Sequence, residues 1–161
     1  MKIDTVKKLV LVGAGASGKD FLRRELQHTH GYRFAVAVTD RPKREGETDG
    51  VDYRFVSTAL FERLVADGRF LQHSTFADYH YGTLLEDFER CSLFIMSPDG
   101  LSKLTPQQRK QCYVIYVKTT PEKTRERMER RAVMFESIDS RIKRDEEAFR
   151  AFRDYDMIYE N

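Results

Sequence analysis

Gly13-Ala14-Gly15-Ala16-Ser17-Gly18-Lys19 fits the pattern GxxxxGK and carries the clearest chemistry in this chain. Small residues let a backbone curl until several amide N–H groups point inward, and a helix that follows adds its positive end. A Lys at the last position reaches the outer oxygens of a bound polyphosphate. The chemistry implied is the grip of a nucleoside triphosphate such as ATP. The next position, where such loops carry a Ser or Thr hydroxyl for Mg2+, holds Asp20. A carboxylate is a hard oxygen ligand, so Asp20 is the candidate metal-binding residue, with a stricter magnesium dependence as the expected consequence.

A cradle of this kind needs a buried strand before it and a helix after it. Residues 9–12 are an uninterrupted aliphatic run closed by Gly13, and Phe21, Leu22 and Leu26 then follow at helical spacing. A second strand is expected over 34–38, before a charged stretch, 40–50, punctuated by Pro42, Gly46 and Gly50. Residues 53–56 read as a short strand. Ser57 caps a helix whose Leu60, Phe61, Leu64 and Val65 form one stripe before Gly68 stops it. A short strand around Phe70 and buried strands over 93–96 and 114–117 follow. Thr120 caps a helix opened by Pro121, and a last helix over 137–152 puts Ile138, Ile142, Phe149 and Phe152 on one face. Such alternation predicts an α/β fold with a central, mainly parallel sheet between helices and ligands beyond the carboxyl ends of the strands.

The 161 residues fit one domain, and 40% hydrophobic with 34% charged residues suffice for a core and a solvated exterior. A net charge of +2 gives no field of the kind that drives nonspecific nucleic-acid binding. Cys91 and Cys112 lack CxxC spacing and read as ordinary thiols of a reducing compartment. The apolar run at 9–12 is too short for a signal peptide or a membrane span, so the expectation is a cytoplasmic protein without membrane partners. His28, His30, His73 and His80 have no metal-ligand spacing; His73 and His80 are expected to line or support a pocket. Beyond Arg141, the alternating charges of 141–153 read as a solvated helix face.

Thr39-Asp40-Arg41-Pro42-Lys43-Arg44-Glu45-Gly46-Glu47, followed by Asp49-Gly50-Val51-Asp52-Tyr53-Arg54-Phe55-Val56-Ser57, closely resembles guanylate kinases. The resemblance continues through Phe70-Leu71, Tyr81-Gly82-Thr83, the stretch 127–131 and Glu136-Ser137-Ile138, so it covers nearly the whole chain. It implies a single domain over 1–161 with the P-loop NTPase three-layer fold and a five-stranded parallel core from 1–33 and 84–161. It further implies a small antiparallel acceptor-binding subdomain over about 34–83 and a mobile lid over about 127–141. The implied activity is transfer of the ATP γ-phosphoryl group to a nucleoside monophosphate, with Mg2+, small-molecule nucleotides as partners, and GMP or dGMP as the default acceptor. By the same resemblance, Arg41, Arg44, Tyr53 and Tyr81 hold the acceptor phosphate, while Arg127, Arg131 and Arg141 of the lid neutralise the migrating group, the last aligned across a one-residue deletion. Paired guanidinium bonds and tyrosine hydroxyls suit a phosphate.

The base-reading positions depart from the family. Gln72 stands where guanylate kinases carry the Glu that accepts two hydrogen bonds from guanine, and an amide offers one acceptor and one donor instead. Ile95 and Ser97 stand where two Asp residues are usual, Ala37 replaces a Ser, and Thr83 keeps a hydroxyl. Two expectations follow: Asp20 supplies the metal-binding carboxylate that the strand end lacks, and the acceptor is a nucleoside monophosphate whose base differs from guanine, or a deoxy or modified form of it. Ile158-Tyr159-Glu160-Asn161 resembles the family's segment near the adenine. The alternatives are a ribose bisphosphate-type sugar-phosphate kinase, which Arg44 and Tyr53 oppose, and a non-catalytic phosphopeptide-binding guanylate-kinase-like module, which the intact Gly13, Gly18 and Lys19 oppose.

Overall fold

The computed structural model describes residues 7–131 and 137–161. In chain order its elements are β1 (Lys8–Val12), α1 (Lys19–His30), β2 (Val38–Thr39), β3 (Arg54–Phe55), α2 (Thr58–Ala66), β4 (Phe70–Phe76), β5 (Tyr79–Leu84) and α3 (Leu85–Arg90). Then come β6 (Leu93–Ile95), α4 (Pro98–Ser102), α5 (Pro106–Lys110), β7 (Cys112–Lys118), α6 (Pro121–Glu129), α7 (Ile138–Phe149) and β8 (Met157–Glu160).

The aliphatic run of β1 lies inside a parallel sheet of order β6-β1-β7-β8. Alternate side chains leave opposite faces. Val10 and Val12 join Phe88, Phe94 and Phe152 in one buried cluster, while Leu11 joins Leu93, Ile115 and Val117 in another, against Leu22 and Leu26 of α1. Both faces are covered, as a near-continuous hydrophobic strand requires. The fifth position of the sheet is one parallel bridge, Phe34 to Leu93, with the Ala35 amide donating to the Leu93 carbonyl at 2.9 Å. The strand expected over 34–38 is therefore divided: Phe34 pairs in this sheet, and Val38–Thr39 forms β2 in a second one.

That second sheet has the order β3-β2-β5-β4. Its β2–β5 and β4–β5 pairings are antiparallel and β2–β3 is parallel. Val38, Phe61 and Leu84 form its core. Of the stripe expected on α2, only Phe61 is fully buried, stacked on Phe70 at 4.7 Å, while Leu60 and Val65 are exposed. The last helix stops at Phe149; Phe152, past its end, meets Tyr116 edge-on while Phe149 stacks on the same ring, both at 5.3 Å. Residues 132–136, the middle of the lid expected over 127–141, lie outside the described residues. No helix among the described residues is long and apolar enough to cross a membrane.

Candidate active site

The loop after β1 has the expected strand–loop–helix setting. A Cβ on Gly13 would lie 2.5 Å from the Val117 carbonyl of β7, so only glycine lets the chain leave the sheet there. Gly18 has φ +100 and caps α1 in the left-handed region, which turns the chain into the helix. Lys19 folds back on this loop, donating to the carbonyl oxygens of Gly13 and Ala14, the second at 2.8 Å. Burial of the ammonium lowers its pKa to about 8, against the opposing charges of Asp20 and Asp145 and with help from Arg141 and Arg131.

Basic side chains surround the loop. The Arg127 guanidinium donates to the Ala16 carbonyl at 3.0 Å. Arg141 packs against Gly15 so closely that a Cβ there would meet its Nη2 at 2.7 Å, and the buried Arg141 Nε has no hydrogen-bond partner among the described residues. A buried, unsatisfied guanidinium N–H beside a loop of amides fits an incoming phosphate. Arg131 lines a cleft of about 470 Å³ together with Ala16, Lys19, Asp20, Arg127 and Asn161. Asn161 follows β8, and its Nδ2 donates to the Ser17 carbonyl at 3.0 Å.

One loop partner has no signal in the local sequence. Asp145, 6% exposed on α7, accepts from the Gly15 amide at 3.0 Å. Burial pushes its carboxyl up, while the Gly15 amide, Arg141 and Lys19 pull it down. The helix face beyond Arg141 is thus not wholly solvated: Asp145 points at the loop, and Arg144 sits over the Phe76 ring at 4.3 Å. A single acidic residue among many charges is not distinguishable by spacing.

The second sheet carries the acceptor candidates. Arg41 is 4% exposed and donates with both terminal nitrogens to Glu47, at 3.1 and 2.8 Å. Glu47 also accepts from the Arg44 amide at 2.7 Å. Burial alone would raise the Glu47 carboxyl; the bonds from Arg41 and Arg44 hold it below its ordinary value. Glu47 lies inside the quoted motif but was not among the expected site residues; an acid within six positions of a buried Arg was its only signal. Arg41 lies over the Tyr53 ring at 5.4 Å, and Tyr53 meets Tyr81 edge-on at 5.9 Å. Desolvation, then the charge of Asp20, raises the Tyr53 hydroxyl to about 12, so it remains a proton donor at neutral pH. Arg44, lowered by burial, also feels the positive charges of Arg41 and Arg141. The loop, against which Arg141 packs, and the arginine–tyrosine cluster therefore lie within electrostatic reach of one another.

The expected base-reading residues, Gln72 of β4, Thr83 of β5 and Ser97 at the start of α4, are all uncharged. Gln72 is buried, donates through Nε2 to Thr83 Oγ1 at 3.0 Å, and presses Oε1 against Gly100. Ser97 caps α4 by accepting from the Gly100 amide at 3.0 Å and lies 3.4 Å from the Ser74 hydroxyl. His73 and His80 both lie against Phe61, and His80 Nδ1 meets the Asp40 carboxylate at 2.6 Å. Asp40 precedes Arg41 and His80 precedes Tyr81, so this pair links the two segments that present the phosphate candidates.

Asp20 itself is open to solvent, its side chain 70% exposed and 3.6 Å from Arg23 Nε. Among the described residues no group of three or more acids, histidines or cysteines could hold a metal ion by itself. A lone carboxylate beside a phosphate loop fits Mg2+, which binds through one or two protein oxygens plus phosphates and waters.

Comparison with known proteins agrees with this geometry. A guanylate kinase from Chlorobium luteolum is 42% identical over 87 residues, 53% of this chain and 44% of that protein. One from Symbiobacterium thermophilum is 46% identical over 76 residues, 47% of this chain and 36% of that protein. The matched stretches thus span less than half of those relatives. The crystal structure of guanylate kinase from Anaplasma phagocytophilum superposes with a TM-score of 0.72 at 22% identity, over 96% of this chain and 76% of that one, which shows the shared fold. The guanylate kinase family model matches residues 5–161, and on that match the chain belongs to the guanylate kinase family.

Proposed function

We propose that this chain is an ATP-dependent nucleoside monophosphate kinase. The observation that carries the reading is the facing of two anion sites. The Gly13–Asp20 loop with Lys19, and the Arg41–Arg44–Tyr53–Tyr81 cluster, lie close enough for Asp20 to act on Tyr53 and Arg141 on Arg44. Two phosphates held at such sites are aligned for transfer between them. The loop amides and Lys19 hold the donor's outer phosphates, which draw Lys19 off the Gly13 and Ala14 carbonyls. Arg41 and Arg44 with the two tyrosines hold the acceptor phosphate, whose own oxygen attacks, so no general base is required. Arg127, Arg131 and Arg141 neutralise the charge that spreads over the migrating group. Asp20 would hold Mg2+, which would supply further neutralisation of the phosphate charge.

The acceptor base is read by Gln72, Thr83 and Ser97, none of them charged. Guanine presents two adjacent donors, and Gln72, with Nε2 committed to Thr83, offers them one acceptor. This supports an acceptor base other than unmodified guanine, with GMP and dGMP the alternatives that the family favours.

ATP consumption with Mg2+ against a panel of ribo- and deoxyribonucleoside monophosphates, with ribose bisphosphate included, tests both levels. Turnover of one or a few nucleotides is expected. Turnover of ribose bisphosphate alone would replace the nucleotide acceptor, strong preference for GMP would refute the altered base, and no ATP binding would favour a non-catalytic module.

A further inference from the structure

The phosphate sites leave the nucleoside end of the donor unassigned, and one side chain in the cleft has no other evident employment. Phe21 is in the first turn of α1, two positions beyond Lys19, and is 67% exposed, the most exposed large hydrophobic side chain among the described residues. Its ring lines the same cleft as Lys19, Asp20, Arg127, Arg131 and Asn161. Among the described residues no ring or cation stacks on it. A triphosphate seated on the loop and on Lys19 must direct its nucleoside out through this cleft, past the first turn of α1. Phe21 is the one aromatic residue that lines it among the described residues.

Asn161 Nδ2 donates to the Ser17 carbonyl, which leaves this carboxamide one N–H donor and its Oδ1 acceptor. Adenine, guanine, cytosine and uracil each carry at least one N–H and at least one acceptor, so a carboxamide with one donor and one acceptor does not separate them. Stacking is equally indifferent to base identity, because every base has a π-face.

Resting on the kinase reading above, we infer that Phe21 is the stacking residue for the donor nucleobase, and that the donor site accepts several nucleoside triphosphates instead of reading adenine. Because Phe21 is mostly exposed, its replacement leaves the core untouched.

Calorimetric titration with Mg2+ tests this, using ATP, GTP, CTP, UTP and inorganic triphosphate as probes on the parent chain, Phe21→Ala and Phe21→Tyr. Phe21→Ala should weaken ATP about tenfold, Phe21→Tyr should keep the parent affinity, and inorganic triphosphate should bind all three alike. The four nucleotides should bind the parent within about tenfold of one another. The chain has no Trp, so Phe21→Trp adds a lone reporter whose emission should change with ATP and stay constant with inorganic triphosphate. Unchanged ATP affinity in Phe21→Ala, or equal weakening of inorganic triphosphate, overturns the stacking role. A parent preference for ATP above about a hundredfold overturns the broad donor choice. A parent that binds inorganic triphosphate and ATP, yet ignores the Phe21 change, refutes this inference alone; one that binds neither overturns the kinase reading as well.

Discussion

Lys19 is held in an environment that penalises its charge, with a pKa lowered to about 8 by burial. Below pH 8 both the folded and the unfolded chain keep the proton and the folded state bears the full cost. Between pH 8 and the ordinary value of 10.5 the folded chain releases it first, so stability rises across that window. Bound phosphate acts in the opposite direction and pulls the pKa back up. ATP binding is therefore expected to take up a proton near pH 8 and to weaken as the pH rises above it, by up to about tenfold per unit. Titrations in buffers of different ionisation enthalpy measure the uptake; none at pH 8.5 would contradict this picture. A second residue prediction concerns Gln72. Replacing it with Glu gives guanine two acceptors, so Gln72→Glu should raise kcat/KM for GMP relative to AMP by about tenfold or more, the scale of one buried charged hydrogen bond. An unchanged ratio would mean that Gln72 does not face the base. Lys19 stood out because it has a fixed offset in the loop motif, and Arg41 and Gln72 because the resemblance assigns a task to their positions. Asp145 was not, since its partner Gly15 is 130 positions away and the surrounding helix is full of other charges.

At the scale of elements, the helix caps were the most readable feature. Ser57 and Thr120 each accept a hydrogen bond from an amide three residues on, an interaction contained within the stretch that announces it, while Ser137, expected inside the last helix, caps it in the same way. Thr120 matters for function because α6 carries Arg127 to the loop. Thr120→Ala should cost about 1 kcal/mol of stability, visible as a lower urea midpoint with an unchanged slope. A midpoint equal to the parent's would contradict the cap. The short helices α3, α4 and α5, of six, five and five residues, went unread, as did β5 as a separate strand. Elements of one or two turns carry too little periodicity to identify, and tertiary contacts set them. Strand pairing in the second sheet was equally hidden, because the parallel β2–β3 contact depends on how the 40–50 stretch returns. One tie across that return is Arg23 of α1, which reaches the Asp52 carboxylate at 3.4 Å and lies over the Phe34 ring at 4.6 Å.

Over the whole molecule, the fold assembles one site from segments far apart in the chain. The loop after β1 receives Arg127 from α6, Asp145 from α7 and Asn161 from the end of β8. The large sheet fixes these positions through a core on both faces, and the second sheet brings Arg41, Tyr53 and Tyr81 within electrostatic reach. The α/β class was readable from alternating strands and helices; the convergence on the loop was not, because nothing local records which distant side chain arrives there. The central claim is that this convergence transfers phosphate from ATP to a nucleotide. The most direct measurement is acceptor-dependent ADP formation by the parent chain and by Lys19→Met with Mg2+ and the nucleoside monophosphate panel. The expected result is ADP formed in step with a nucleoside diphosphate by the parent, and a loss of about a hundredfold or more in Lys19→Met. ADP formation that no acceptor stimulates, or that survives the loss of Lys19, would contradict it.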